Sequence, residues 1–274
     1  MDYTQIVYET VGHVARVTLN RPEYRNPIGR LAIEEMDDAL AIAVEDPEVR
    51  AIVLRAEGPH FSAGHDLGTP AKMADDEERP YPPGGRGSFQ RSWELYIEPG
   101  LRWRNLPKPT IAAVQGYCIW GGWMAATAMD IIFASDDAQF LGSKFQYFSV
   151  PWDIGVRKAK EVLFENRFID AQEAMEYGFV NRVVPRDQLD AEVMAYAGRV
   201  AENDSFQLRM TKLAINQAQD EQGYTNHILA AHSLQPGSGD GGSSQGAQLP
   251  SGQRRVAPIE RALENQKLVH GIKR

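Results

Sequence analysis

The sequence predicts an α/β protein, a mostly parallel sheet followed by a helical region. Three observations predict it. Residues 13–19 (HVARVTL) alternate apolar and polar positions like a half-buried strand; Ile33, Met36, Leu40 and Val44 then recur at helical spacing, and 50–54 (RAIVL) return to strand. That is a β-α-β unit, which implies parallel strands and a right-handed crossover. After Pro151 the pattern turns helical over 156–166, 171–177, 187–203, 206–219 and 224–234, with one strand-like run, VNRVV, at 180–184. The 274 residues are 43% hydrophobic and 24% charged, an ordinary globular balance, long enough to build a core without staples.

Residues 68–92 (GTPAKMADDEERPYPPGGRGSFQRS) are rich in Pro, Gly and charge and read as a long loop, either a lid or a surface excursion. A helical pattern over 93–105 stops at Pro107 and Pro109, before a strand at 110–114. Residues 111–134 carry a single formal charge, Asp130, and are long enough to cross a bilayer. Gln115, Gly116, Gly121, Gly122 and Asp130 break them into short pieces, so buried strand, turn, helix and strand is the better reading, with no membrane partner. Residues 236–252 have linker composition, and 257–273 carry Ile259, Leu263 and Val269 at amphipathic spacing, a helix docked on another subunit or a frayed end. The expected organisation is an α/β core over 1–185, a helical oligomerisation region over 186–235, a flexible linker over 236–256 and a terminal helix over 257–274.

Lys plus Arg number 29 and Asp plus Glu 37, a net charge of −8, which argues against nucleic acid as a partner. The single cysteine, Cys118, forms no intramolecular disulfide, and the opening MDYTQIVYET lacks a secretory pattern, so cytoplasm is the expected compartment. The six histidines show no metal-ligand spacing, and Gly84-Gly85-Arg86-Gly87 lacks the Lys-Ser/Thr of a phosphate loop.

Two constellations carry possible chemistry. In Phe61-Ser62-Ala63-Gly64-His65-Asp66-Leu67, after the 50–54 strand, small residues let backbone approach a ligand and a turn leaves N–H groups free. In Gln115-Gly116-Tyr117-Cys118-Ile119-Trp120-Gly121-Gly122, the two glycines open a helix. Each alone fits a tight turn with no ligand. Facing each other, they would converge two N–H groups on one point, as a thioester oxygen gaining negative charge requires.

With these segments the chain resembles the crotonase, or enoyl-CoA hydratase/isomerase, superfamily over roughly residues 5–235. Asn20-Arg21-Pro22, Asn26-Pro27, FSAGHDL, the KPTIAAVQG run at 108–116, Gly121-Gly122, DIIFA at 130–134 and residues 171–185 occur in the family's order. The resemblance implies a β-β-α superhelical core, a C-terminal helical region building homotrimers often paired into hexamers, and an acyl-CoA substrate with no separate cofactor. It places the oxyanion-hole N–H groups at His65 and Gly121, and coenzyme A contacts at Arg25, Asn26, Ala63, Gly64, His65, Asp66, Leu67 and Gly121.

The departures bear on the reaction. Hydratases of the family use two glutamates; Met124 stands at the first position and Lys144 nearest the second, and neither is a carboxylate. Residues 144–185 lean toward the branch of dihydroxynaphthoyl-CoA synthase and ring-cleaving β-diketone hydrolases. Asp153, beside Trp152, is a candidate acid/base with a raised pKa, set against a helix cap near Val156. The His65 imidazole is read as solvent-facing, with proton transfer as the alternative. Asp66 is read as a loop brace, Tyr117 and Tyr147 as proton donors or plain hydrogen-bonded core, and Trp120, Trp123 and Trp152 as acyl-pocket wall or core. The expected function is an enoyl-CoA hydratase/isomerase that hydrates straight-chain substrates weakly. The alternatives are a hydrolase, isomerase or ring-cleaving lyase of a cyclic acyl-CoA, and a catalytically silent CoA-binding oligomer.

Overall fold

In the computed structural model, which describes residues 2–234 and 258–272, β1 (Ile6–Val11) and β2 (Val14–Leu19) form an antiparallel hairpin across Gly12, at φ 58°. α1 (Arg30–Glu45) crosses to β3 (Ala51–Ala56), parallel to β2, which is the unit read from the sequence. α1 buries Ala32, Ile33, Met36, Ala39, Leu40 and Ala43 as one stripe. Lys108 Nζ donates to the carbonyls of Ala43 and Asp46 at 2.7 and 2.6 Å, satisfying the open end of α1.

The 68–92 segment is not a loop: it holds α2 (Pro70–Glu78) and α3 (Gly85–Ser92). Only Asp75 of α2 is buried, so no apolar stripe announces this helix. Thr69 caps it, accepting from Lys72 N at 3.3 Å, and ion pairs tie it to α1, Arg30 with Asp75 at 3.1 Å and Arg79 with Glu34 at 2.7 Å. A π-helical turn at Trp93–Ile97 then leads into α4 (Glu98–Arg104).

The segment from 111 to 134 proves to be buried core: β4 (Thr110–Val114), β5 (Tyr117–Ile119), α5 (Gly121–Thr127) and β6 (Ile131–Ser135). Among the described residues no helix is long and apolar enough to cross a membrane. There follow β7 (Gln139–Leu141), α6 (Val150–Asp153), α7 (Val156–Glu165), β8 (Ile169–Asp170), α8 (Ala171–Glu176) and β9 (Arg182–Val184). The large sheet runs β1-β2-β3-β4-β6-β9, parallel except for β1; a small sheet runs β5-β7-β8. Alternation along the strands sorts the core. Val17, Ile52, Leu54, Ala112 and Val114 point into the larger core that α1 closes beside β2, while Val14, Ala51, Val53, Ile111 and Phe133 face α9 (Leu189–Ala201) through Leu189, Val193 and Ala197. The second face of the sheet is therefore closed by a helix from the segment beyond residue 185.

α10 (Ser205–Glu221) buries none of its residues, and α11 (Tyr224–Leu234) buries Tyr224, Ile228, Ala231 and His232. α12 spans Pro258–Ile272. It docks on its own chain's small sheet, Ala262 with Ile259 and Leu263 against Ile119, Leu141 and Phe168, and Asn166 Nδ2 donates to Pro258 O at 3.2 Å. The expected linker at 236–256 lies outside the described residues.

Candidate active site

The FSAGHDL loop is held as a strand between two partners. Ser62 N donates to Tyr117 O at 2.9 Å and Ile119 N to Ser62 O at 3.0 Å, which fixes one edge to β5. On the other edge Ala63 N donates to Arg25 O at 2.8 Å, Ile28 N to Gly64 O at 2.8 Å, and Asp66 N to Ile28 O at 3.1 Å. Gly64 sits at φ 99°, and a Cβ there would lie 2.8 Å from Ile119 O; the approach of loop to β5 admits only glycine.

This register leaves His65 N beside Gly121. A Cβ on Gly121 would stand 3.2 Å from His65 N, and among the described residues neither the His65 nor the Gly121 N–H has an acceptor. The two constellations thus meet, as their order in the sequence implied. Trp120, just before Gly121, adopts φ 43° and ψ −96°, a left-handed conformation rare for a large side chain, and donates its N–H to Leu141 O at 2.9 Å. Such strain persists only where neighbouring structure holds it, here β7 behind the backbone and α12 against the indole.

The His65 imidazole does not face solvent as the sequence reading had it. It is half-buried, packed on Tyr96 with ring centroids 4.1 Å apart, its Nε2 2.5 Å from Gln146 Oε1. Burial, reinforced by Arg91, pulls its pKa down to about 4 against the opposing Gln146 bond, so the ring is neutral at neutral pH. Sequence reasoning missed Gln146 and Tyr96: the first is 81 residues from His65, and the second lies in the π-helical turn, a distortion common at functional sites.

The other expected residues divide by what holds them. Asn26, at φ 51°, is buried with its amide fully engaged, accepting from Arg21 N at 2.8 Å and donating to Glu57 O and His60 O at 2.8 and 2.9 Å. Asp66 accepts from Gly68 N, Thr69 N and Thr69 Oγ1, bracing the loop onto α2. Arg25 is exposed, and Leu67 is 80% exposed. Met124 is buried with Ile97, Tyr147, Tyr224 and Ile228, and Lys144 is exposed. Tyr147 and Tyr224 share a hydroxyl hydrogen bond of 3.1 Å, and burial pushes both pKa values up.

Asp153 lies apart from the amide pair. It ends α6 and caps nothing near Val156, where Gly155 is the N-cap of α7. Its carboxylate accepts from Trp123 Nε1, Thr127 Oγ1 and Ser149 Oγ, each at 2.7 Å, pinning α6 to α5 near Thr127, about 9 Å along the helix from Gly121. Burial raises its pKa, the three donors opposing. Trp123 is core, stacked on Phe179 at 4.1 Å. Beside His65 there is a cavity of about 20 Å³, lined in part by Tyr96, Ile28 and Asp66; a cleft of about 490 Å³ opens at the far end of α5, beside Asp153 and Tyr224. No cluster of metal-binding side chains occurs among the described residues.

Comparisons agree with this architecture. The enoyl-CoA hydratase/isomerase family model matches residues 9–235. A Mycobacterium tuberculosis protein named as an enoyl-CoA hydratase, EchA13, is 38% identical over 249 residues, 82% of this chain and 77% of its own length. Crystal structures described as enoyl-CoA hydratases from Mycobacterium thermoresistibile and Mycobacterium smegmatis are 41% and 42% identical, with TM-scores of 0.77 and 0.78. The first match covers 86% of this chain and 98% of the other, the second 85% and 94%. An enoyl-CoA hydratase/isomerase from Xanthobacter autotrophicus Py2 is 34% identical, with a TM-score of 0.75 over 85% of this chain and 86% of its own.

Proposed function

Because the chain belongs to the enoyl-CoA hydratase/isomerase family, we propose that it acts on an acyl-CoA and holds the thioester oxygen between the N–H groups of His65 and Gly121. The observation that carries this reading is that two amides without a partner among the described residues lie side by side, a Cβ on Gly121 standing 3.2 Å from His65 N. Donors already aimed at the oxygen lower the cost of negative charge there without reorganisation, which favours an enolate. Coenzyme A is part of the substrate, and no further cofactor is required. Ala63 and His65 contribute backbone to its cradle, while Asn26, Gly64 and Asp66, whose own groups are engaged within the protein, hold that backbone in place. Arg25 and Leu67, exposed at the rim, face the nucleotide and pantetheine portions.

Proton movement at the α carbon, as in double-bond isomerisation, suits this site better than hydration. Adding water needs acid and base groups set for both carbons, yet the first glutamate position is a buried methionine and the nearest to the second an exposed lysine. Asp153 acts as a brace between helices, because both of its oxygens accept from donors, Oδ2 from Trp123 and Ser149 and Oδ1 from Thr127.

α10 presents Phe206, Met210, Leu213 and Ile215 to solvent, which supports a homo-oligomer, a trimer or dimer of trimers. The buried Cys118 thiol suits a reducing compartment, the cytoplasm. A crystal soaked with acetoacetyl-CoA tests the central claim. The thioester oxygen is expected within about 3.2 Å of both amides; an oxygen bound elsewhere refutes it, and tight binding with no turnover of any acyl-CoA favours the silent oligomer.

A further inference from the structure

We infer that the His65 imidazole is the group that takes the substrate's α proton, at Nδ1, and that Gln146 fixes the tautomer that makes this possible. The inference rests on the enolate reading above, and it assigns the side chain of a residue whose backbone alone that reading uses. With the Gln146 amide oriented so that Oε1 lies 2.5 Å from His65 Nε2, the oxygen accepts and the ring proton sits on Nε2. The lone pair is then on Nδ1. That nitrogen is the atom nearest to the place a Gly121 Cβ would occupy, 2.8 Å away, with His65 N at 3.2 Å from the same point. The base and both amides therefore border one small volume, and glycine at 121 is what lets the ring close over it.

The surroundings keep the ring in its accepting form. Tyr96 of the π-helical turn covers one side, and Arg91 of α3 is the nearby cation that adds to burial in lowering the pKa. Asp66, the neighbouring acid, is occupied by Thr69 and Gly68. Met124, in the position where family hydratases carry a carboxylate, supplies no competing base. In the step, the Cα–H bond breaks and its proton goes to Nδ1. The C–H electron pair becomes the Cα=C bond of the enolate, and the carbonyl π pair moves onto the oxygen held by the two amides. Return of the same proton to the γ carbon of a dienolate shifts the double bond with no other reactant, which one base on one face suffices to do.

Deuterium uptake at the α carbon of butanoyl-CoA in D2O, followed by mass spectrometry, reads the base; acetoacetyl-CoA affinity reads the amide pair. His65→Ala keeps both amides and is expected to bind acetoacetyl-CoA within threefold of wild type while exchange falls by about 10²-fold or more. Gln146→Glu, whose carboxylate stabilises the imidazolium, should move the pH midpoint of exchange upward, whereas a purely structural Gln146 would leave that midpoint in place. Undiminished exchange in a folded His65→Ala overturns the base assignment alone, as does a wild type that binds butanoyl-CoA without exchanging it. Failure of the wild type to bind acetoacetyl-CoA overturns the underlying enolate reading.

Discussion

Gly121→Ala puts the packing at the site to a quantitative test. The added methyl would lie 2.8 Å from His65 Nδ1, 2.9 Å from Cε1 and 3.2 Å from His65 N, against a normal contact of about 3.5 Å. The ring must retreat by about 0.7 Å. It has little freedom to do so, with Tyr96 packed on it and Nε2 bonded to Gln146. Overpacking of this kind costs about 1–3 kcal/mol, while alanine in place of a helical glycine returns up to about 1 kcal/mol, so the net loss of stability is about 0–3 kcal/mol. A reacting group displaced by nearly an ångström loses about 10–10²-fold in rate. Activity should therefore fall much further than stability, measured as α-proton exchange on butanoyl-CoA beside urea unfolding of the same samples. Full exchange in a stably folded Gly121→Ala would refute the placement of His65 over Gly121.

Wild type should hydrate crotonyl-CoA negligibly, and Met124→Glu should not restore hydration; that carboxylate would enter an apolar cluster unpaired and cost on the order of 3 kcal/mol, visible as a lower Tm. Asp153→Ala strands Trp123 Nε1, Thr127 Oγ1 and Ser149 Oγ, for an expected loss of about 2–4 kcal/mol by urea unfolding; an unchanged midpoint would contradict the brace. His65, with its pKa at about 4 when folded and 6.5 in the open chain, binds its proton more readily unfolded, so stability should drop as pH falls from about 6.5 to about 4. At about 1.4 kcal/mol per pH unit this amounts to at most about 3.5 kcal/mol, and the stability difference between wild type and His65→Leu should change across that window rather than stay flat. Removing residues 258–274 uncovers Ile119, Leu141 and Phe168 and should lower Tm and red-shift the emission of Trp120, whereas identical spectra would mean α12 does not dock there.

How much of this could be read from the chain depended on the range of the signal. The β2-α1-β3 unit was legible because its periodicity is local and its burial strong: Met36, Leu40 and the β3 residues fall inward by spacing alone. α2 was not, because its support is ionic and comes from Glu34 and Arg30 on α1, leaving no apolar stripe in its own residues. α12 could be recognised as a helix but not assigned its partner, since Ile259 and Leu263 fit any apolar face.

The same division runs through the site. The sequence by itself determined the two glycine-containing segments and the family they point to, and it put Met124 and Lys144 where the resemblance expects the hydratase glutamates. Those are matters of residue identity and order. Only the tertiary structure decided that Asp153 is bound by three donors, that Trp120 holds a left-handed backbone before Gly121, and that Gln146 meets His65 across 81 residues. Hydrogen bonds between distant segments depend on directions that no local pattern encodes, and the direction of one bond, from His65 Nε2 to Gln146, sets which nitrogen is free to accept a proton.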